Sequence, residues 1–303
     1  METILKTEKL EKKYGDFAVL NGVDIHIEKG SIYGLIGKNG TGKTTLFRII
    51  CGLQEPTSGS YTIYGVNNKK DMSEVRKRMG AIIEKPSIYG DMTAKDNMIE
   101  QYKLAGIPNI EGIDELLKLV GLENTGKKKT KHFSLGMKQR LGIALSLAGN
   151  PDFLILDEPI NGLDPQGIIE IRELILKLNK ERRITILISS HYLDELSKIA
   201  THYGFLDRGT IVEEISSEEL AKHMEHKIEM RVSDPKAFVM YFEKKGITYE
   251  VLNDKTINVY GKYNLSSLVG ELAKKNLAID EIHEVDESLE NYYMNLIGGG
   301  KND

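Results

Sequence analysis

The sequence predicts an α/β fold with a mostly parallel sheet over residues 1–225, followed by a small α+β domain over residues 226–303. Three patterns carry this expectation. Residues 153–156 (Phe-Leu-Ile-Leu) and 184–188 (Ile-Thr-Ile-Leu-Ile) read as strands covered on both faces, with a helical stretch over 165–179 between them. Strand, helix, strand in that order gives parallel pairing through a crossover. Residues 31–36 form a third such strand, and a glycine-rich turn leads from it into a helix beginning at Lys43. After His226 the order becomes strand, helix, two strands, helix, strand, which is the ferredoxin-like arrangement.

The first fourteen residues are charged throughout and lack the apolar core of a secretion signal. Residues 23–28 alternate apolar and polar, as a strand with one wet face does, and His26 falls on the polar side. The helix from Lys43 stops at Gly52. Residues 94–149 have helical periodicity without a strand, so they read as an inserted helical subdomain. In the small domain, strands are expected at 227–232, 249–252, 256–260 and 278–283, with Asn253-Asp254 as a turn. Helices are expected at 235–245, 265–275 and 287–296.

Apolar residues make up 40% of the 303 and charged residues 28%, the balance of a globular protein. The net charge of −4 exerts no global pull on nucleic acid, and no nucleic-acid partner is expected. With Cys51 as the sole cysteine, no internal disulfide forms, which fits a reducing compartment; Cys51 itself reads as a small apolar residue on a buried helix face. The longest apolar run, 141–148, falls far short of the ~20 residues that cross a bilayer. Any membrane role therefore comes from a partner.

Gly37-Lys38-Asn39-Gly40-Thr41-Gly42-Lys43-Thr44 matches the P-loop pattern residue for residue. The glycines let consecutive backbone N–H groups turn inward around phosphate oxygens, at a helix N-terminus whose dipole favours anions. Lys43 supplies a cation to the β- and γ-phosphates, the Thr44 hydroxyl is suited to ligate Mg²⁺, and neighbouring Thr45 belongs to the same nucleotide-binding set. Asp157 ends a buried strand, where a carboxylate can hold Mg²⁺ directly or through water. Glu158 follows it and is placed to polarise water against the γ-phosphate as a general base. Taken alone, an Asp-Glu-Pro triplet is equally a polar strand exit; the P-loop gives it meaning.

A second set of features is ordered along the chain: Phe133-Ser134-Leu135-Gly136-Met137-Lys138-Gln139-Arg140, then Asn161-Gly162-Leu163-Asp164, then Ser189-Ser190-His191. With the P-loop and Asp157, this set resembles the ATP-binding cassette family over about residues 1–225. The resemblance implies a parallel core sheet, an antiparallel β subdomain and a helical subdomain. It also implies a head-to-tail homodimer in which each ATP lies between one copy's P-loop and the other's Ser134 and Gly136. His191 would bond the γ-phosphate and position the attacking water, Asp164 would belong to the nucleotide-binding set, and Tyr14 would stack on adenine. Without the resemblance, His191 reads as a helix-start residue and Tyr14 as a surface tyrosine.

Two positions depart from the family pattern. The usual Leu-Ser-Gly-Gly-Gln signature has Leu135 and Met137 at its third and fifth places, and Glu84 replaces the glutamine of the loop after residues 80–83. Glu84 is expected to approach the Mg²⁺ or its water when the dimer closes. Both departures, with residues 133–144 and the tail from Glu287 to Tyr293 and Gly298-Gly299-Gly300, are similar to bacitracin-transport and lantibiotic-protection ATPases. This implies an ATP-hydrolysing export subunit for a peptide antibiotic, held at the cytoplasmic face of the plasma membrane by a permease on a separate chain. The docking surface would be the loop containing Pro86, Ile88, Tyr89 and Met92. Two other readings stay open: a soluble ATPase of the same family acting on ribosome or DNA, and a weakly hydrolysing regulatory cassette.

Overall fold

The structure, a computed structural model, describes residues 2–223, 227–261, 263–285 and 288–298. His226, Glu287, Gly299 and Gly300, which figure in the expectations above, lie outside the described residues. The chain folds as two compact units, Met1–Ser217 and Glu218–Asp303. The division falls ahead of the expected one at 225/226, because a short helix opens the second unit.

In the first unit the elements run β1 (Thr3–Tyr14), β2 (Phe17–Val23), β3 (His26–Glu28), β4 (Ile32–Ile36), α1 (Lys43–Ile50), β5 (Ser58–Ile63), α2 (Lys69–Arg76) and β6 (Met79–Ile82). Then follow α3 (Ala94–Leu104), α4 (Ile113–Leu119), α5 (Leu135–Ser146), β7 (Phe153–Asp157) and α6 (Pro165–Arg182). The unit closes with β8 (Thr185–Ser190), α7 (Leu193–Leu196), β9 (His202–Asp207) and β10 (Thr210–Ser216).

The central sheet has the order β10-β9-β4-β8-β7-β6 and is parallel except for the β10–β9 hairpin. Every residue of β4, β7 and β8 is buried, which is why these strands read as unbroken apolar runs. β1 pairs with β2, β3 and β5 in a separate antiparallel sheet. One core joins them: Leu5, Leu20, Leu46, Phe47, Ile155 and Leu187 are all fully buried in a single cluster. The helical insertion is α3 to α5. Its first helix is closed by a capping box in which Thr93 and Asp96 satisfy each other's backbone N–H groups.

Two expectations need correction. Residues 23–28 do not form one strand. The buried Thr7 hydroxyl donates to Val23 O (2.8 Å) and accepts from Ile25 N–H (2.9 Å), so it takes the place of ladder bonds and separates β2 from β3. Cys51 packs against the core as expected, but from the cap position at the end of α1, where it stays partly exposed.

The second unit contains α8 (Ser217–His223), β11 (Lys227–Val232), α9 (Pro235–Lys245), β12 (Tyr249–Asn253), β13 (Thr256–Tyr260), α10 (Leu265–Ala273), β14 (Ile279–Val285) and α11 (Leu289–Gly298). Its sheet order, β12-β13-β11-β14, is antiparallel throughout and is that of a ferredoxin-like domain. Ile228, Met230, Phe238, Phe242, Val259 and Leu272 form its core.

Candidate functional site

The sheet register assembles the site at the carboxyl ends of β4, β7 and β8. Leu35 lies opposite Ser189, and Ser189 opposite Asp157. The chain leaves β4 at Ile36, wraps residues 37–42 into a loop, and enters α1 at Lys43. Gly42 sits at the N-cap with φ 109°, and a Cβ there would lie 2.6 Å from Leu20 and 2.9 Å from Val19 O. A side chain is therefore excluded on both strain and space. Gly37 is equally confined, since a Cβ would lie 2.6 Å from Leu206 O. Thr41 Oγ1 donates to Lys38 O at 2.9 Å and closes the loop on itself.

The buried Lys43 donates from Nζ to Gly37 O (2.5 Å) and Lys38 O (3.3 Å) and lies 3.4 Å from Glu158 Oε1. The cation is thus held over its own loop, at the open end of α1. Asn39, Gly40, Lys43, Thr44, Thr45 and Glu158 line the cleft there, together with Val19 of β2.

Asp157, 2% exposed, accepts from two hydroxyls: Thr44 Oγ1 at 2.7 Å and Ser189 Oγ at 2.6 Å. Glu158 has φ 49°, a left-handed conformation rare outside glycine, and its N–H donates to Ser189 Oγ at 2.9 Å. Its side chain faces His191, whose Nδ1–H donates to Oε2 at 2.6 Å and whose backbone N–H donates to the same oxygen at 3.3 Å. Oε1 is buried without a hydrogen-bond partner, beside Lys43. A carboxylate oriented through one oxygen and lining the phosphate cleft is suited to take a proton from water.

The donor set also fits Mg²⁺. Thr44 and Asp157 present hard oxygen atoms to one point, and Asp157 is held by hydroxyls rather than by a cationic side chain. Glu84 is not brought to this group. Its Oε1 is ion-paired with Arg48 Nη2 of α1 at 2.5 Å, and no hydrogen bond or ion pair joins it to Thr44 or Asp157. In the single copy, then, Glu84 faces Arg48 rather than the Thr44–Asp157 pair; its approach to the metal is an expectation for the closed dimer.

The remaining expected residues stand apart from the P-loop of the same chain. Ser134 caps α5, where its Oγ accepts from Met137 N–H at 3.2 Å and leaves the hydroxyl proton free to donate. Gly136 follows in the first turn, and Leu135 is 51% exposed beside Gly162. Asp164 caps α6 through Gly167 N–H at 3.1 Å. Tyr14 ends β1, exposed over 46% of its surface, and does not line the P-loop cleft. Sequence reasoning missed Ser189, which joins Asp157 to Glu158, and Arg48 and Val19. Only Ser189 left a signal, as a hydroxyl at the end of a buried strand next to His191.

A family described as ABC transporter matches residues 20–161, a stretch holding the P-loop, Ser134 and the Asp157-Glu158 pair. The bacitracin transport ATP-binding protein BcrA of Bacillus licheniformis is 43% identical over 303 residues, covering 99% of both chains. The lantibiotic transport ATP-binding protein SrtF of Streptococcus pyogenes is 46% identical over 210 residues, covering 69% of this chain and 89% of its own. Among solved structures, a dimeric bacterial ABC transporter cassette superposes with a TM-score of 0.63 at 25% identity, covering 71% of this chain and 99% of that one. Relatives named for transport disfavour the soluble reading on ribosome or DNA. The chain belongs to the ABC transporter family, as an ATP-binding and ATP-hydrolysing subunit.

Proposed function

We propose that this subunit energises export of a peptide antibiotic, of bacitracin or lantibiotic type, through an integral-membrane permease on a separate chain. It acts as a head-to-tail pair of copies at the cytoplasmic face of the plasma membrane. The observation that carries the substrate class is the likeness to a bacitracin transport ATP-binding protein over 99% of both chains, small second unit included. Among the described residues no helix is long and apolar enough to cross a membrane, so the conduit is assigned to the partner. A groove lined by Leu53, Ile83, Pro86, Gln101, Ala105 and Leu145 offers that partner a concave surface beside the loop expected to dock it.

In hydrolysis, the P-loop N–H groups and Lys43 hold the β- and γ-phosphates of ATP. Thr44 and Asp157 would hold Mg²⁺, which when bound neutralises charge on the transferring phosphoryl group. Glu158 takes a proton from the attacking water. His191 keeps the Glu158 carboxylate oriented through Nδ1; its Nε2 accepts from the water in the neutral ring and donates to the γ-phosphate in the protonated one. Ser134 and the Gly136 N–H, at the start of α5 in the second copy, close over the γ-phosphate. Neither site is complete until both copies meet, so ATP drives closure and hydrolysis reopens the pair. When the pair closes, Glu84, ion-paired with Arg48 through Oε1, would approach the metal or its water.

Co-expression with a partner permease tests this. Resistance to bacitracin or a lantibiotic should rise only with both proteins, and should vanish with Glu158→Gln. Full ATPase activity with no resistance to either peptide would overturn the substrate class. The same assay separates off a regulatory cassette, suggested by Leu135 and Met137 but opposed by Glu158 and His191, which expects resistance to survive Glu158→Gln.

A further inference from the structure

We propose that Gln54 is a positioning residue for base recognition: it fixes the ring of Tyr14 as a preset platform for the purine. The proposal rests on the reading of Tyr14 as the adenine-stacking residue. Tyr14 and Phe17 are strand partners at the tip of the β1–β2 hairpin. Both rings are exposed, Phe17 over 69% of its surface. They differ in what holds them. The Tyr14 hydroxyl donates to Gln54 Oε1 at 2.7 Å, whereas Phe17 has no group through which it could be tied.

The anchor reaches further than one bond. Lys12 Nζ lies 5.3 Å from the Tyr14 ring centroid and donates to Glu55 O at 2.7 Å. Lys13 N–H donates to Thr57 Oγ1 at 3.0 Å, and Thr57 N–H to Glu11 O at 2.8 Å. Residues 54–57 are therefore laced along the end of β1. The backbone N–H groups of Leu53 and Gln54 both bond Arg48 O in the last turn of α1, at 2.8 and 3.3 Å. That helix begins at the P-loop. Its eight residues make a rod about 12 Å long, with the phosphate cradle at one end and the tie to Tyr14 just past the other.

This arrangement matters because an exposed aromatic side chain loses rotamer freedom when a base stacks on it. A ring already fixed at its hydroxyl has lost that freedom beforehand, so more of the stacking appears as affinity. Gln54 would then favour nucleotides over bare polyphosphate without touching either. A single neutral hydrogen bond of this kind corresponds to roughly a 2- to 10-fold effect on binding.

Titration calorimetry on the purified full chain tests the proposal, with ATP and inorganic tripolyphosphate as the two probes. Gln54→Ala and Tyr14→Phe should each raise the Kd for ATP by about 2- to 10-fold, the scale of one such bond. Both should leave tripolyphosphate binding unaltered, and the double variant should be no weaker than either single one. Tyr14→Ala should weaken ATP more than any of them. If Tyr14→Ala does not change ATP affinity, the stacking reading itself is wrong. If Tyr14→Ala weakens ATP while Gln54→Ala does not, stacking stands and the role of Gln54 is overturned. Phe17→Ala guards against a looser hairpin as the cause: a loss equal to that of Gln54→Ala would also overturn the proposal.

Discussion

Asp157 and Glu158 are adjacent in sequence, yet the backbone assigns them different environments. Asp157 ends β7 inside the sheet, bonded by two hydroxyls, while the left-handed turn at Glu158 carries its carboxylate toward His191 and Lys43. Glu158→Gln keeps the shape and removes the proposed base. Turnover should fall by about 10²–10⁴-fold with ATP binding retained, measured as phosphate release against equilibrium nucleotide binding. Ser189 serves both acids. Ser189→Ala removes a hydrogen bond to a buried carboxylate, so urea denaturation should show a loss of about 1.5–3 kcal/mol. Cys51 provides a reading on pH: burial pushes its thiol up to about 12. It should resist alkylation at pH 8 until the chain is unfolded. Above pH ~9, where an unfolded thiol ionises, the folded state alone keeps the proton, so this group's contribution to stability declines as pH rises toward 12. At this scale the P-loop was legible in the sequence because its chemistry depends on local spacing. Ser189, Arg48 and Val19 were not, since each acts through a neighbour distant in the chain.

Elements were legible in proportion to the regularity of their burial. The fully buried β4, β7 and β8, and α1 starting at Lys43, follow from unbroken apolar runs and glycine punctuation. The opposite case is β1, the strand to which three others pair, which the sequence shows only as a charged N-terminus. Its buried residues are Ile4, Leu5, Thr7 and Leu10, a set with no steady period of two. Bulges shift the register, and Lys9 takes φ 45°, so the alternation that marks a strand is broken within it. Edge strand β6 was similarly obscure. Its Gly80 lies against α5, and a Cβ would fall 2.2 Å from Ser146 O. Gly80→Ala should therefore push α5 off the sheet. A destabilisation of about 1–3 kcal/mol is expected by thermal or urea denaturation, because backbone cannot yield as a side chain would.

At the scale of the whole molecule, the site residues fall into two groups that one chain does not unite. Lys43, Thr44, Asp157, Glu158 and His191 are linked through their side chains, while Ser134 and Gly136 open α5 elsewhere. Spacing alone orders these motifs without saying which copy each serves; only the family resemblance assigned Ser134 and Gly136 to the ATP of the other copy. Mixing two inactive variants, Lys43→Ala and Ser134→Glu, measures it directly. If each pocket is built from two copies, a mixed dimer has one site with both halves intact, and ATPase activity returns on mixing. If every pocket lies within one chain, the mixture stays as inactive as its components, and the shared-site account is contradicted.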